Sequence, residues 1–241
     1  VPAPVIPILG PALVFPSADK APPQGLVALG GDLSVERLLL AYRHGIFPWS
    51  ASPITWWSPD PRAIFEFDDI HVGRSLRRTL RRAPFTITVD RCFSGVIRAC
   101  ASVPREGDST WITPSIIEAY ERLHAAGWAH SLECWQGNQL AGGIYGVAIG
   151  SFFAGESMFH HVSDASKVAV VNLMEHLRVR GYTLFDTQML TETTRSLGAF
   201  EIPRSEYLRR LAVAIERPAS FTTMPSGEPP HNDPATPPGP T

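Results

Sequence analysis

Glu156 stands inside Phe152-Phe153-Ala154-Gly155-Glu156-Ser157-Met158-Phe159, a run otherwise suited to a strand through a hydrophobic core. A carboxylate there needs a partner, because an unpaired buried charge is prohibitively costly. Either an arginine pairs with it, or it belongs to a site that receives a cation. Asp186 and Gln188 lie in a second such run, Phe185-Asp186-Thr187-Gln188, and side chains two apart on a strand project to the same side. Asp186 is then either a turn or cap residue or, with Gln188 beside another carboxylate, part of a proton-handling group. Lys167, near the start of an apolar helical pattern, reads either as a surface lysine or as a phosphate ligand at a helix N-terminus. His160 and His161 are adjacent, so along a strand they point apart, which argues against metal ligation.

Two further groups point to nucleic acid. Between Asp69 and Asp90 there is no acid, yet Arg74, Arg77, Arg78, Arg81 and Arg82 fall at i, i+3, i+4, i+7 and i+8. At ~100° per residue they share one helix face, with Val72, Leu76, Leu80 and Ala83 opposite and packed inward. A solvated face normally mixes signs, since like charges at i,i+4 are mildly destabilising. An uninterrupted cationic face fits a phosphate backbone, which it can hold without reading the bases. Trp49 and Trp111 sit at the ends of short irregular stretches; each is either a core residue or a platform on which an unpaired base stacks. Trp56 and Trp57 read as core.

The elements that must position these residues follow from periodicity. A first segment, 15–62, holds one helix capped by Ser34, with Val35, Leu38, Leu39 and Tyr42 on one face and Gly45 as its stop. Its remainder is rich in glycine, proline and tryptophan and reads as irregular backbone, a small domain leaning on a larger one. Beyond it, helices are expected over 72–82, 91–101 and 114–126, the last with Thr113 as cap and Pro114 in its first turn. Strands are expected over 85–89, 130–135, 139–149 and 151–159, then a buried helix over 165–180, a strand over 182–187 and short helices near 193–197 and 205–215. Antiparallel hairpins followed by a buried helix and another strand give an α+β fold with a mixed, largely antiparallel sheet. The domains are therefore expected at 1–62 and 63–217, with a Pro/Gly/Ser/Thr-rich, disordered tail at 218–241.

Of the 241 residues, 44% are hydrophobic and 18% charged, an ordinary globular profile with a net charge of −2. Nucleic-acid binding must then come from a local patch and not from global charge. Cys92, Cys100 and Cys134 show no CxxC spacing, which speaks against a disulfide framework or structural zinc and fits a reducing cytoplasm. Residues 1–14 are apolar but broken by Pro2, Pro4, Pro7 and Pro11, unlike a signal peptide, and no apolar run approaches the ~20 residues that span a bilayer.

The chain resembles the bacterial leucyl/phenylalanyl-tRNA–protein transferases over about Phe15 to Ile215. The motifs that carry the likeness are Gly25-Leu26-Val27-Ala28-Leu29-Gly30-Gly31-Asp32-Leu33-Ser34, Gly45-Ile46-Phe47-Pro48-Trp49, Trp56 to Arg62 and Thr110-Trp111-Ile112-Thr113. They continue with Gly142-Gly143-Ile144-Tyr145-Gly146-Val147, Gly155-Glu156-Ser157-Met158-Phe159, Ala165-Ser166-Lys167 and Ser196-Leu197-Gly198-Ala199. The resemblance implies a small N-terminal domain and a GNAT-type acyltransferase domain. It also implies transfer of Leu, Phe and less readily Met from aminoacyl-tRNA to the N-terminal Arg or Lys of acceptor proteins, which creates an N-end rule degradation signal. No cofactor, metal or membrane is implied. By the same likeness Trp49 and Trp111 hold the terminal adenosine. Ile144, Phe153, Met158, Val170, Leu173, Leu177 and Phe185 form the side-chain pocket, Glu156, Asp186 and Gln188 the polar centre, and the five arginines the tRNA surface. Ile144, Leu173 and Leu177 replace bulkier residues of the best-known members, and Thr191 stands where asparagine is usual.

The reaction so implied is aminolysis of an ester, with Asp186 acting through the Gln188 amide to orient the acceptor amine and help remove its proton. An acetyl-CoA-dependent N-acetyltransferase is the rival enzyme. Such enzymes usually carry a glycine-containing pyrophosphate loop, whereas here His160-His161-Val162-Ser163-Asp164 has no glycine. A non-catalytic RNA-binding module is the other rival, and it leaves Glu156, Asp186 and Gln188 unexplained.

Overall fold

A computed structural model describes residues 6–103 and 110–222. The first five residues of the apolar N-terminal stretch and positions 223–241 of the expected tail lie outside the described residues. The first sheet contains β1 (Ile8–Leu9), β2 (Leu26–Gly30), β3 (Phe47–Ala51) and β4 (Ile54–Trp57), in the order β1-β2-β4-β3. Between β2 and β3 lies α1 (Val35–Arg43), whose first turn is capped by Ser34 accepting from Arg37 N, and Gly45 follows it at φ +73°. The expectation of irregular backbone here was wrong. Pro48 and register shifts at 26/28 and 48/50 break the alternation by which strands are recognised in a sequence.

The second sheet has seven strands: β5 (Arg62–Phe65), β6 (Thr86–Val89), β7 (Ala129–Gln136), β8 (Gln139–Ile149), β9 (Phe152–His160), β10 (Leu184–Gln188) and β11 (Phe200–Ile202). Their order is β11-β5-β10-β9-β8-β7-β6, and every pairing is antiparallel except β9 with β10. The mixed, largely antiparallel α+β arrangement is the expected one. β5 and β11, too short to show a period, were not expected.

The helices are α2 (Arg74–Arg82), α3 (Phe93–Ser102), α4 (Pro114–Ala125), α5 (Ala165–Val179), α6 (Glu192–Ser196) and α7 (Arg204–Ala214). Two cores result, one on each face of the large sheet. Tyr145, Val147 and Phe152 point to the first, where α3, α4 and α7 meet Leu38, Tyr42 and Trp56 of the N-terminal segment. Ile144, Ala148 and Phe153 point to the second, filled by α5 with Val170, Leu173 and Leu177. The N-terminal segment therefore shares a core with the larger unit.

Two expectations need correction. Ala83 does not pack inward: it is exposed and caps α2 in the left-handed region at φ 45°. The tail does not begin at Pro218, because Phe221 is only 3% exposed and belongs to the second core.

Gly146, on β8, shows how tight the sheet is. A Cβ there would collide with the Ala154 carbonyl oxygen and lie 2.5 Å from Phe153 Cζ. Backbone cannot retreat as a flexible side chain can, so Gly146→Ala is expected to destabilise the protein by ~1–3 kcal/mol. Urea unfolding of the variant beside the wild type measures it.

Candidate active site

β9 and β10 stay in register only from Phe152/Leu184 to Ala154/Asp186, and then part. On β9, Gly155 faces Gly146 while Ser157 faces Tyr145, so Glu156 is the extra residue of a bulge. On β10 the register with β5 shifts between Asp186 and Gln188, and Gln188 takes φ +64°. Both irregularities aim polar side chains into the fork. β3 and the segment before α4 supply the opposite wall, enclosing a cavity of about 740 Å³.

At its polar centre Gln188 Nε2 donates to Glu156 Oε1 at 2.7 Å, and Tyr120 Oη donates to Glu156 Oε2 at 3.0 Å. Tyr42 Oη in turn hydrogen-bonds Tyr120 Oη, which ties Glu156 to α1. No arginine pairs with Glu156 among the described residues. Burial, offset in part by the Tyr42 and Tyr120 hydroxyls and by Arg62, pushes its carboxyl up to about 7. It therefore stands between its two protonation states near neutral pH.

Asp186 is occupied elsewhere. Arg62 Nε and Nη2 donate to its two oxygens at 2.8 and 2.7 Å, and Tyr207 Oη donates to Oδ2 at 2.9 Å. The fully buried Asp186 does not line the cavity. The expectation that Asp186 and Gln188 side chains share one side fails, because the register shift and the left-handed Gln188 break the alternation. Instead Asp186 Oδ1 accepts the Gln188 backbone N–H at 2.8 Å, fixing the turn that aims Gln188 at Glu156. Arg62 also donates to Gly45 O at 3.0 Å and lies between the Phe47 and Tyr207 rings. Arg62, Tyr42, Tyr120 and Tyr207 were missed. A lone arginine heading the apolar run Ala63-Ile64-Phe65 was the available signal for the first.

Of the expected pocket residues, Ile144, Met158, Val170 and Phe185 line the cavity, together with Phe65, which was not expected. Phe153, Leu173 and Leu177 do not reach it; they form the layer behind, in the second core. Trp49 and Trp111 both line the cavity half-buried, although Trp49 lies on β3 and not at a loop end. Trp57 meets Trp49 edge-on at 5.5 Å, and Trp56 is fully buried with Nε1 donating to Gly30 O at 2.8 Å. Thr191 also lines the cavity and has a structural task, capping α6 through a reciprocal pair of bonds with Thr194.

The arginines Arg74, Arg77, Arg78, Arg81 and Arg82 lie on α2, and none is ion-paired among the described residues. All five are exposed. Thr79, on the same helix, donates to Asp164 Oδ2 at 2.9 Å, which fastens α2 to the start of α5 near the half-buried Lys167. His160 lies against Ser166, while the His161 ring packs on Phe159. Among the described residues no group of three or more His, Cys, Asp or Glu is arranged to hold a metal. No helix there is long and apolar enough to cross a membrane.

Comparison with known proteins gives consistent results. The profile described as leucyl/phenylalanyl-tRNA protein transferase matches residues 64–212, and that of the N-terminal domain of the same proteins matches 31–60. A leucyl/phenylalanyl-tRNA–protein transferase of Solidesulfovibrio magneticus is 56% identical over 84% of this chain and 83% of its own. One from Stutzerimonas stutzeri is 49% identical over 86% of this chain and 94% of its own. Among solved structures, a GCN5-related N-acetyltransferase from Kribbella flavida overlaps 68% of this chain and 59% of its own, at 14% identity and a TM-score of 0.39.

The position of Glu156 has a consequence for stability. Its carboxyl titrates near 4.5 when unfolded and at about 7 when folded. Below pH 4.5 both states hold the proton; between 4.5 and 7 only the folded state does, so rising pH erodes stability through that window. Above 7 the folded protein carries the full cost of an ionised buried carboxylate. Glu156→Gln is expected to remove that loss, on the order of a few kcal/mol. The measurement is the difference in urea-unfolding free energy between about pH 5 and about pH 8, in wild type and variant.

Proposed function

This chain belongs to the leucyl/phenylalanyl-tRNA–protein transferase family, and from that membership we propose how its cavity carries out aminoacyl transfer from tRNA to protein. The observation that carries the reading is the fork itself: one cavity combines half-buried tryptophans, an apolar floor and the Glu156–Gln188 pair. Trp49 and Trp111 take the terminal adenosine by stacking, which any base face permits. Ile144, Met158, Val170 and Phe185 receive the leucyl, phenylalanyl or methionyl side chain. The acceptor presents an N-terminal Arg or Lys, and the product then carries a residue that marks it for degradation by the N-end rule. The natural setting is the cytoplasm.

In the reaction the acceptor's α-amine attacks the ester carbonyl carbon. A carbon–nitrogen bond forms, the bond from that carbon to the ribose oxygen breaks, the amine gives up a proton and the ribose oxygen takes one. The ester is already activated, so no ATP is consumed. Free α-amines have a pKa near ~8, so the ammonium form must be relieved of a proton before attack. Glu156, held near 7, can accept it. The Gln188 amide oxygen, which makes no hydrogen bond among the described residues, accepts from the amine and aims it. Asp186 is a positioning residue: it holds the Gln188 backbone and never meets the substrate. This revises the route by which Asp186 assists, from the side-chain amide to the main chain.

Much of the acceleration comes from holding two large substrates in register. The arginine face of α2 supplies part of that grip by taking acceptor-stem phosphates, with Lys167 beside it.

Two measurements test this reading. Gln188→Ala is expected to lower kcat for leucine transfer to an Arg-initiated peptide by about a hundredfold or more, with tRNA affinity little changed. The added leucine mass on the peptide is the readout; undiminished transfer would remove Gln188 from the mechanism. Replacing Arg77 and Arg81 together by alanine is expected to weaken Leu-tRNA binding. It should also flatten the plot of log affinity against log salt by roughly 0.7–0.9 for each phosphate no longer neutralised.

A further inference from the structure

After α7 the chain crosses from one face of the large sheet to the other. Tyr207, Leu211 and Ala214 of α7 lie in the first core, whereas Phe221 lies in the second. The crossing runs round the β8–β9 turn: Ser151 N donates to Ala214 O at 2.9 Å, and Gly150, at φ +56°, is so close beneath the chain that a Cβ would lie 2.5 Å from Ile215 O.

Phe221 is then gripped on several sides. Its ring stacks on His130 at 4.3 Å and 13°, tilts against His176 at 4.6 Å and meets Tyr182 edge-on at 6.4 Å. Its carbonyl accepts from His176 Nε2 at 2.8 Å, which fixes the proton of that ring on Nε2. Burial pulls the His176 pKa down to about 4, so the neutral ring persists through the physiological range.

The remaining ring neighbour leads to the active site. Phe221 stacks on Phe153 at 5.5 Å and 19°, Phe153 meets Phe185 edge-on at 5.3 Å, and Phe185 meets Phe65 at 5.3 Å. Phe185 and Phe65 line the cavity, while Phe153 stands behind them and over Gly146. Four rings thus run in series from the C-terminal arm to the cavity wall. Close-packed interiors transmit displacement, and a void left by a deleted ring is filled only in part, by its neighbours moving into it.

We propose that Phe221 is a specificity-determining residue, which holds Phe153 and Phe185 forward and so sets the size of side chain that the aminoacyl pocket accepts. The proposal rests on the reading of the cavity as that pocket. Phe221 lies beyond residue 212, where the family profile stops matching. This support for the wall is therefore read from the packing of this chain and not from the family.

The test compares the full-length wild type, Phe221→Ala, Phe221→Leu and Phe185→Leu. The kcat/KM is measured for leucine and for phenylalanine transfer to one Arg-initiated peptide, with thermal unfolding of each protein alongside. Single-methylene differences in apolar pockets change selectivity ~10–200-fold, so Phe221→Ala, acting indirectly, is expected to raise the Phe/Leu ratio by about fivefold, and Phe221→Leu by less. Should Phe221→Ala not fold, a raised ratio in Phe221→Leu decides the matter alone. Equal losses for both amino acids, with the ratio unchanged, would overturn the proposal and leave Phe221 a stabilising residue only. If Phe185→Leu shifts the ratio and the Phe221 variants do not, the proposal fails while the pocket reading stands. If none of the three shifts it, the pocket reading itself is wrong.

Discussion

The bidentate pairing of Arg62 with Asp186 ties four parts of the chain together at one buried point. Arg62 begins the strand that follows the N-terminal segment, Asp186 ends the stretch of β10 paired with β9, and Tyr207 and Gly45 O complete the cluster from α7 and the turn after α1. Both ions are almost wholly inaccessible. A buried pair is often no more stabilising than a well-packed apolar equivalent, yet removing one partner strands the other at a cost of ~3–5 kcal/mol. Its value here is positional. With its side-chain oxygens held by Arg62 and Tyr207, Asp186 can fix the Gln188 main chain, and the left-handed turn that follows sends the amide to Glu156.

The same logic shows why the N-terminal segment belongs to the site and is not an appendage. Through Tyr42 it orders Tyr120, and through Tyr120 it orders Glu156; through Phe47 and Gly45 it holds Arg62; through Trp49 it forms a wall of the cavity. Glu156 and Asp186 are thus each fixed by a residue from a distant stretch of sequence. This leaves Glu156 unable to relax toward solvent, and its raised proton affinity follows.

Much of this is legible in the amino-acid sequence alone. The cap at Ser34, the helix over α5, the hairpin strands and the arginine face rest on local rules, and local rules hold where neighbours in sequence decide the conformation. Glu156 stands out because a carboxylate in an apolar run demands an explanation. What the sequence does not disclose is anything decided by the bulges: Glu156 as an inserted residue on β9, and Gln188 turned out of alternation with Asp186. Strand periodicity assumes an unbroken ladder, and the site lies where the ladder is broken. The partners Tyr120 and Tyr207 are hidden for a related reason, since pairing across such sequence separations leaves no local mark; Arg62 leaves only that of a lone arginine heading an apolar run. The pocket residues carried over by resemblance divide into wall and backing, a distinction of depth that no linear pattern encodes.

The fork between β9 and β10 has one more meaning. Past Ala154 and Asp186 the two strands no longer satisfy one another, so a backbone group on the gap needs another partner, as the Gln188 N–H finds in Asp186, or water while the cavity stands open. A substrate built of amides and hydroxyls can take over those bonds as it displaces the water. The cleft is then an unfinished piece of sheet, open where β9 and β10 part.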